Sequence, residues 1–157
     1  MDYSRYIFSP RLFIETFLYI VNKKGKLIPF KFNNVQLAYY NYLIKKYWKP
    51  YIDSRGNKRY RFQGIREVIL KARQFGISTL IRALYFHDSI TNQGINSYVY
   101  CQDFEKSKEM MVKDKLFYKK LPPNLKPAIS YDTKSVVTFP EMLSKIQAGK
   151  PGVGKYG

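Results

Sequence analysis

Apolar residues recur at helical spacing soon after the start of the chain. Phe13, Phe17, Ile20 and Val21 follow Ser9-Pro10, a cap and a first-turn proline, and Gly25 supplies a stop. This pattern predicts a first helix. After the apolar stretch 27–32, Asn33 or Asn34 caps a second predicted helix carrying Val35, Tyr39, Tyr42 and Leu43, which ends near Pro50. A polar cluster at 53–58 reads as a turn. Beyond it, Val68-Ile69-Leu70 is a short continuous apolar run of the kind that forms a strand buried on both faces.

Residues 71–79 follow that run directly, and Leu80, Ile81, Leu84 and Tyr85 then mark an amphipathic helix extending to about Asn92-Gln93-Gly94. The order strand, small-residue turn, helix then repeats. Residues 97–101 read as a strand, Asp103 as an N-cap, and 104–120 as a charged helix halted by Pro122-Pro123. Two such units predict an α/β fold with a parallel sheet. Residues 135–139 and 142–148, flanking Pro140-Glu141, form a predicted hairpin, and 149–157 a Gly-rich tail. The expected organisation is one domain over 1–157, with a helical N-terminal segment at 1–60, a βα core at 61–148 and the tail at 149–157.

Composition sharpens this picture. A chain of 157 residues with 45% hydrophobic content suffices for one core. The formal charge of +17 favours a polyanionic partner such as nucleic acid, although a Lys-, Asn-, Ile-, Tyr- and Phe-rich composition is also what an A/T-rich coding sequence produces. Residues 1–60 carry 12 basic and 3 acidic side chains and residues 61–157 carry 16 and 8, so the excess is spread over both halves. The single cysteine, Cys101, permits no internal disulfide and leads us to expect a reducing cytoplasm; with one His, no Cys/His zinc cage forms within the chain. No run of about 20 apolar residues and no signal-peptide layout is present, so a soluble, intracellular protein without a membrane partner is expected.

Candidate chemistry centres on 71–79. Where a buried strand turns into a helix, free backbone N–H groups and the helix dipole face an anion. The general phosphate-loop pattern is G-x-x-x-x-G-K-[ST]. Here the span is Lys71-Ala72-Arg73-Gln74-Phe75-Gly76-Ile77-Ser78: the second Gly and the Ser are in place, Lys71 stands at the first Gly, and Ile77 stands at the Lys. Continued through Thr79, this span resembles the variant Walker A turn of the large terminase subunits of tailed phages, in which the basic residue moves to the front. The resemblance implies a P-loop NTPase-like fold with a partial parallel sheet and flanking helices. It implies that Lys71 or Arg73 meets the β- and γ-phosphates of ATP, that Ala72, Gln74, Phe75, Gly76, Ile77 and Thr79 complete the turn, and that Ser78 ligates Mg2+.

More of the chain resembles the same family. Phe32-Asn33-Asn34-Val35-Gln36 is similar to its adenine-side segment, which implies nucleotide contacts for Phe32 and Gln36, the Gln reading the adenine edge; residues 97–102 with the helix after them are similar to its second strand-helix unit. The implied partners are double-stranded DNA, the portal and the small terminase subunit, with a homo-oligomeric ring in the intact motor, and the implied location is the cytoplasm of an infected bacterial host.

Gly149-Lys150-Pro151-Gly152-Val153-Gly154-Lys155-Tyr156 fits G-x-x-x-x-G-K better than the mid-chain span does, but Tyr156 replaces the hydroxyl residue and no helix follows. None of the acids follows an apolar run of four, so the Asp-Glu pair that a P-loop ATPase needs for its metal and water is not visible, nor is the family's nuclease domain. The expectation is an N-terminal part of such a subunit, carrying half of an ATPase and turning nucleotide over weakly or not at all. His87 is expected to be structural or on the surface, and Cys101 a small core residue. Tyr39, Tyr42, Tyr98 and Tyr100 fall at core-like spacing, with base stacking as the alternative. A basic nucleic-acid-binding protein without a nucleotide site and a helicase-like translocase are the competing functions.

Overall fold

The computed structural model describes residues 4–69, 75–101 and 103–149. Two short helices, α1 (Ser4–Phe8) and α2 (Pro10–Phe17), open the chain, and the Ser9 hydroxyl caps α2 by accepting from Leu12 N–H. The first predicted helix stops here rather than at Gly25. Ile20 and Val21 belong to strand β1 (Tyr19–Val21), which pairs antiparallel with β2 (Leu27–Pro29). The reason is local: β-branched residues run into a turn in which Asn22 Oδ1 accepts from the N–H groups of Lys24 and Lys26, at 2.9 and 3.0 Å.

Helix α3 (Asn34–Tyr47) begins at a capping box. Asn33 Oδ1 accepts from Gln36 N–H while Gln36 Oε1 accepts from Asn33 N–H, at 2.9 and 3.0 Å. Its buried face is Gln36, Tyr40, Leu43 and Tyr47. Val35 and Tyr42, expected on that face, are exposed, because the stripe that meets the core runs through the cap glutamine. Strands β3 (Trp48–Ile52) and β4 (Lys58–Phe62) form an antiparallel ribbon around the predicted polar turn, whose Asp53 carboxylate accepts from Arg55 and Asn57 N–H.

The buried strand expected at Val68-Ile69-Leu70 is not found in its described part. Residues 63–69 have no regular structure and Val68 is 92% exposed, while Leu70 lies outside the described residues. Among the described residues no strand pairs with this segment; Ile65, Glu67 and Ile69 line a small cavity together with Tyr39 and Tyr85. Helix α4 (Ile77–Thr91) follows, then β5 (Asn96–Tyr100) and α5 (Phe104–Lys120), whose bounds match the sequence pattern and whose N-cap is Asp103. Strands β6 (Tyr131–Asp132), β7 (Val136–Phe139) and β8 (Ser144–Gly149) complete a four-stranded sheet in the order β5-β8-β7-β6.

This sheet is mixed, not parallel. β5 and β8 pair parallel, with α5 in the connection between them, whereas β6, β7 and β8 are antiparallel neighbours. Helices α4 and α5 cover one face, onto which Val137, Phe139, Ile146 and Ala148 point, and Phe86, Met111 and Phe117 complete that side of the core. Tyr98 and Tyr100 point the other way, 43% and 44% exposed with their rings stacked, so the core role expected for them is not what the fold assigns. Strand alternation places them opposite buried Ser97. The molecule is thus an α/β fold of five helices and three small sheets among the described residues.

Candidate functional site

Gly76 sits where the chain enters α4 and adopts φ +71°. A Cβ there would lie 2.6 Å from Gln36 Nε2, so both the left-handed backbone and the close approach require glycine. Gln36 comes from the first turn of α3 and is almost fully buried. Its Nε2 donates to the Gly76 carbonyl at 2.9 Å, and Asn33 Nδ2 donates to the Phe75 carbonyl at 3.2 Å. Two cap residues of one helix thereby fix the entry of another.

The entry they fix is an anion-ready one. The first intrahelical bond at the start of α4 runs from Leu80 N–H to the Gly76 carbonyl at 3.0 Å, and no side chain caps the helix. The N–H groups of Ile77, Ser78 and Thr79 therefore have no acceptor within the helix and add to the positive end of its dipole. Ser78 and Thr79 are half-buried there, whereas the Ile77 side chain is buried and Phe75 is 43% exposed. Lys71, Ala72, Arg73 and Gln74 lie outside the described residues, as does the Gly-rich tail from Lys150 onward.

Beside this turn opens a cavity of about 470 Å3, into which Gln36, Gly76 and Thr79 face together with Phe30, Val112 and Lys113. Its volume suits a nucleoside-sized ligand. Lys113 Nζ donates to Thr79 Oγ1 at 3.5 Å, and burial, with Arg82 close by, pushes its ammonium below the usual lysine range. Glu109, one turn earlier on α5, lines the same space. Neither α5 residue was singled out in the sequence, although charges four apart on a predicted helix share a face.

Phe32 is half-buried and packs against Phe30 and Tyr40 at the edge of the core, ring centroids 5.7 and 5.4 Å away, while its N–H donates to Glu15 Oε1. Gln36 has spent one amide hydrogen and one lone pair on backbone; a second of each remains, which is the set a bidentate contact with a purine edge uses. Among the described residues no group of three or more His, Cys, Asp or Glu side chains is placed to hold a metal ion. Ser78 and Thr79 are the hydroxyl side chains at this turn among the described residues.

His87 is fully buried on α4, its Nε2 donating to the Tyr6 carbonyl 3.1 Å away, and burial lowers its pKa to about 4. It is a core residue. Comparison of the sequence with protein-family models and with curated proteins gave no match. No helix among the described residues is long and apolar enough to cross a membrane.

Proposed function

We propose that the chain is a nucleotide-binding module that holds ATP with Mg2+ at the N-terminus of α4, as the N-terminal ATPase part of a terminase-type motor that moves double-stranded DNA. The observation that carries this reading is the contact between Gln36 and Gly76. It brings residues 33–36, which resemble the family's adenine-side segment, onto Phe75 and Gly76 of the span that resembles its phosphate turn. Three N–H groups without an acceptor in their own helix, a half-buried hydroxyl pair and a cavity of nucleoside size meet at that point. Lys71 or Arg73 supplies the phosphate cation in this reading, and Ser78 ligates the metal.

Chemistry beyond binding calls for a carboxylate at a strand end, to hold magnesium through water. The parallel strands β5 and β8 end in Tyr100 and Gly149. Nucleotide binding is therefore the property to test, and the portal, the small subunit and a ring assembly are the further partners this reading implies. Equilibrium titration with a fluorescent ATP analogue tests the proposal. Micromolar to millimolar affinity that needs Mg2+, and that Ser78→Ala and Gln36→Ala each reduce by tenfold or more, is the expected result. Affinity indifferent to Mg2+ and to both substitutions overturns it.

A further inference from the structure

We infer that the β3–β4 ribbon, with the end of α3 that leads into it, is a docking strip for the phosphate backbone of double-stranded DNA. Residues 45–67 hold eight Lys/Arg side chains against two acids, Asp53 and Glu67, a net +6 out of the chain's +17, and Glu67 pairs with Lys46 at 3.4 Å. Lys45, Lys49, Arg55, Lys58 and Arg66 are exposed, and the cross-strand register sets Lys49 opposite Arg61 and Ile52 opposite Lys58.

Both acids are engaged locally, Glu67 by Lys46, Tyr42 and Tyr47 and Asp53 by its own turn. The Asp53 carboxylate accepts from Arg55 and Asn57 N–H and from Arg59 Nε, at 2.9, 2.8 and 3.3 Å, and those bonds hold its pKa below the usual range. Several cations are also held in place: Arg61 lies 4.5 Å over the Tyr51 ring, and Lys46 lies over Tyr42 and Tyr47. The ribbon is itself anchored, with the Tyr51 hydroxyl donating to Asn92 Oδ1 and Asn92 Nδ2 to the Tyr60 carbonyl.

A rigid array of fixed cations matches a stiff duplex, which carries one charge per about 1.7 Å of axis. Single-strand surfaces present open rings for bases; here Trp48, Tyr51, Tyr60 and Phe62 are half-buried and engaged with one another or with their own cations. The choice of DNA rests on the motor reading above, whereas the strip itself stands on residues remote from the nucleotide site.

The test is fluorescence anisotropy of a labelled 20-base-pair DNA duplex and of one of its single strands, titrated across a salt series. A triple reversal, Lys49→Glu, Arg55→Glu and Lys58→Glu, is compared with an equal charge change at Lys24, Lys26 and Lys106, all exposed and away from the ribbon. Circular dichroism checks folding, and the neutral triple Lys49→Gln, Arg55→Gln, Lys58→Gln repeats the test without repulsion. Duplex preferred over single strand, a loss of tenfold or more in the ribbon variants and a salt slope reduced by about two to three support the strip. Duplex binding is expected without added nucleotide or Mg2+, so a failed nucleotide site leaves this result standing. Equal losses in ribbon and control variants, preference for the single strand, or no duplex binding overturns it.

Discussion

The side-chain amide of Gln36 holds the carbonyl of Gly76, forty residues away in sequence, with a 2.9 Å hydrogen bond in the interior of the protein. The same amide closes the capping box of α3, so a single side chain sets both the start of α3 and the entry into α4. A glutamine that only capped a helix would face solvent. This one is buried because Gly76 leaves room for it, and the proposed site depends on that fit.

Replacing Gly76 tests the fit. Gly76→Ala places a methyl group against Gln36 Nε2 and forces a non-glycine residue to φ +71°. The left-handed backbone costs about 1–2 kcal/mol and a lost buried hydrogen bond about 1–3 kcal/mol more. Denaturant unfolding should show a loss of about 2–5 kcal/mol, and nucleotide affinity should fall in the folded fraction. A stability change below about 0.5 kcal/mol would mean the contact is dispensable.

Lys113 offers a second probe of the same cavity. Its ammonium is half-buried within reach of Thr79 and faces the space next to the uncapped helix end. A charge-assisted bond to a phosphate oxygen is worth about 1.5–3 kcal/mol. Lys113→Gln should weaken ATP by about tenfold or more while leaving adenosine within about twofold, as calorimetric titration of the two ligands will show.

Elsewhere the helices are joined by a buried ion pair. Arg82 on α4 donates through Nε to Asp114 on α5 at 3.1 Å, with both side chains at most 4% exposed, and burial lowers the Arg82 pKa to about 10. Removing one member strands a charge and costs about 3–5 kcal/mol, whereas removing both in favour of apolar residues does not. Arg82→Leu and Asp114→Leu should each destabilise strongly in urea. The double variant is expected to recover at least half of the summed loss.

Two neighbours on α4 give stability an unusual response to acid. Burial lowers His87 to about 4 and raises Asp88 to about 6 from the ordinary 3.8. Between pH 4 and 6.5 the folded protein binds fewer protons at His87 than the unfolded chain, so this residue makes stability fall as pH is lowered. Between 3.8 and 6 it binds more protons at Asp88, which makes stability rise as pH is lowered. The two slopes oppose each other. Asp88→Asn should uncover the His87 response, a progressive loss of stability from pH 6.5 down to 4 that is steeper than in the parent, measurable by thermal unfolding across that range.

Much of the fold was legible because local signals agreed with tertiary ones. The bounds of α5 followed from Asp103 and Pro122-Pro123, and the hairpin at the end of the chain from two apolar runs around Pro140. The first helix was overextended because apolar spacing alone does not reveal a turn built by the Asn22 side chain. The strand at Val68 was not found because a buried strand needs neighbours, and no sequence run states which neighbours it has. In the site, Gln36 and Gly76 were readable as motif positions, while Lys113 and Glu109 enter only through the packing of α5. The tyrosines of β5 misled for a simpler reason: alternation marks two faces of a strand without saying which one is covered.

The central claim is that nucleotide sits between the start of α3 and the start of α4. Photo-crosslinking with an azido-adenine ATP analogue, followed by peptide mapping, tests it most directly. Mg2+-dependent labelling confined to peptides spanning 19–36, 76–79 and 109–117, and competed by unlabelled ATP, is the predicted result. Labelling beneath Tyr118 and Phe139, where a separate cavity of about 330 Å3 lies, or labelling that ATP does not compete, would contradict it.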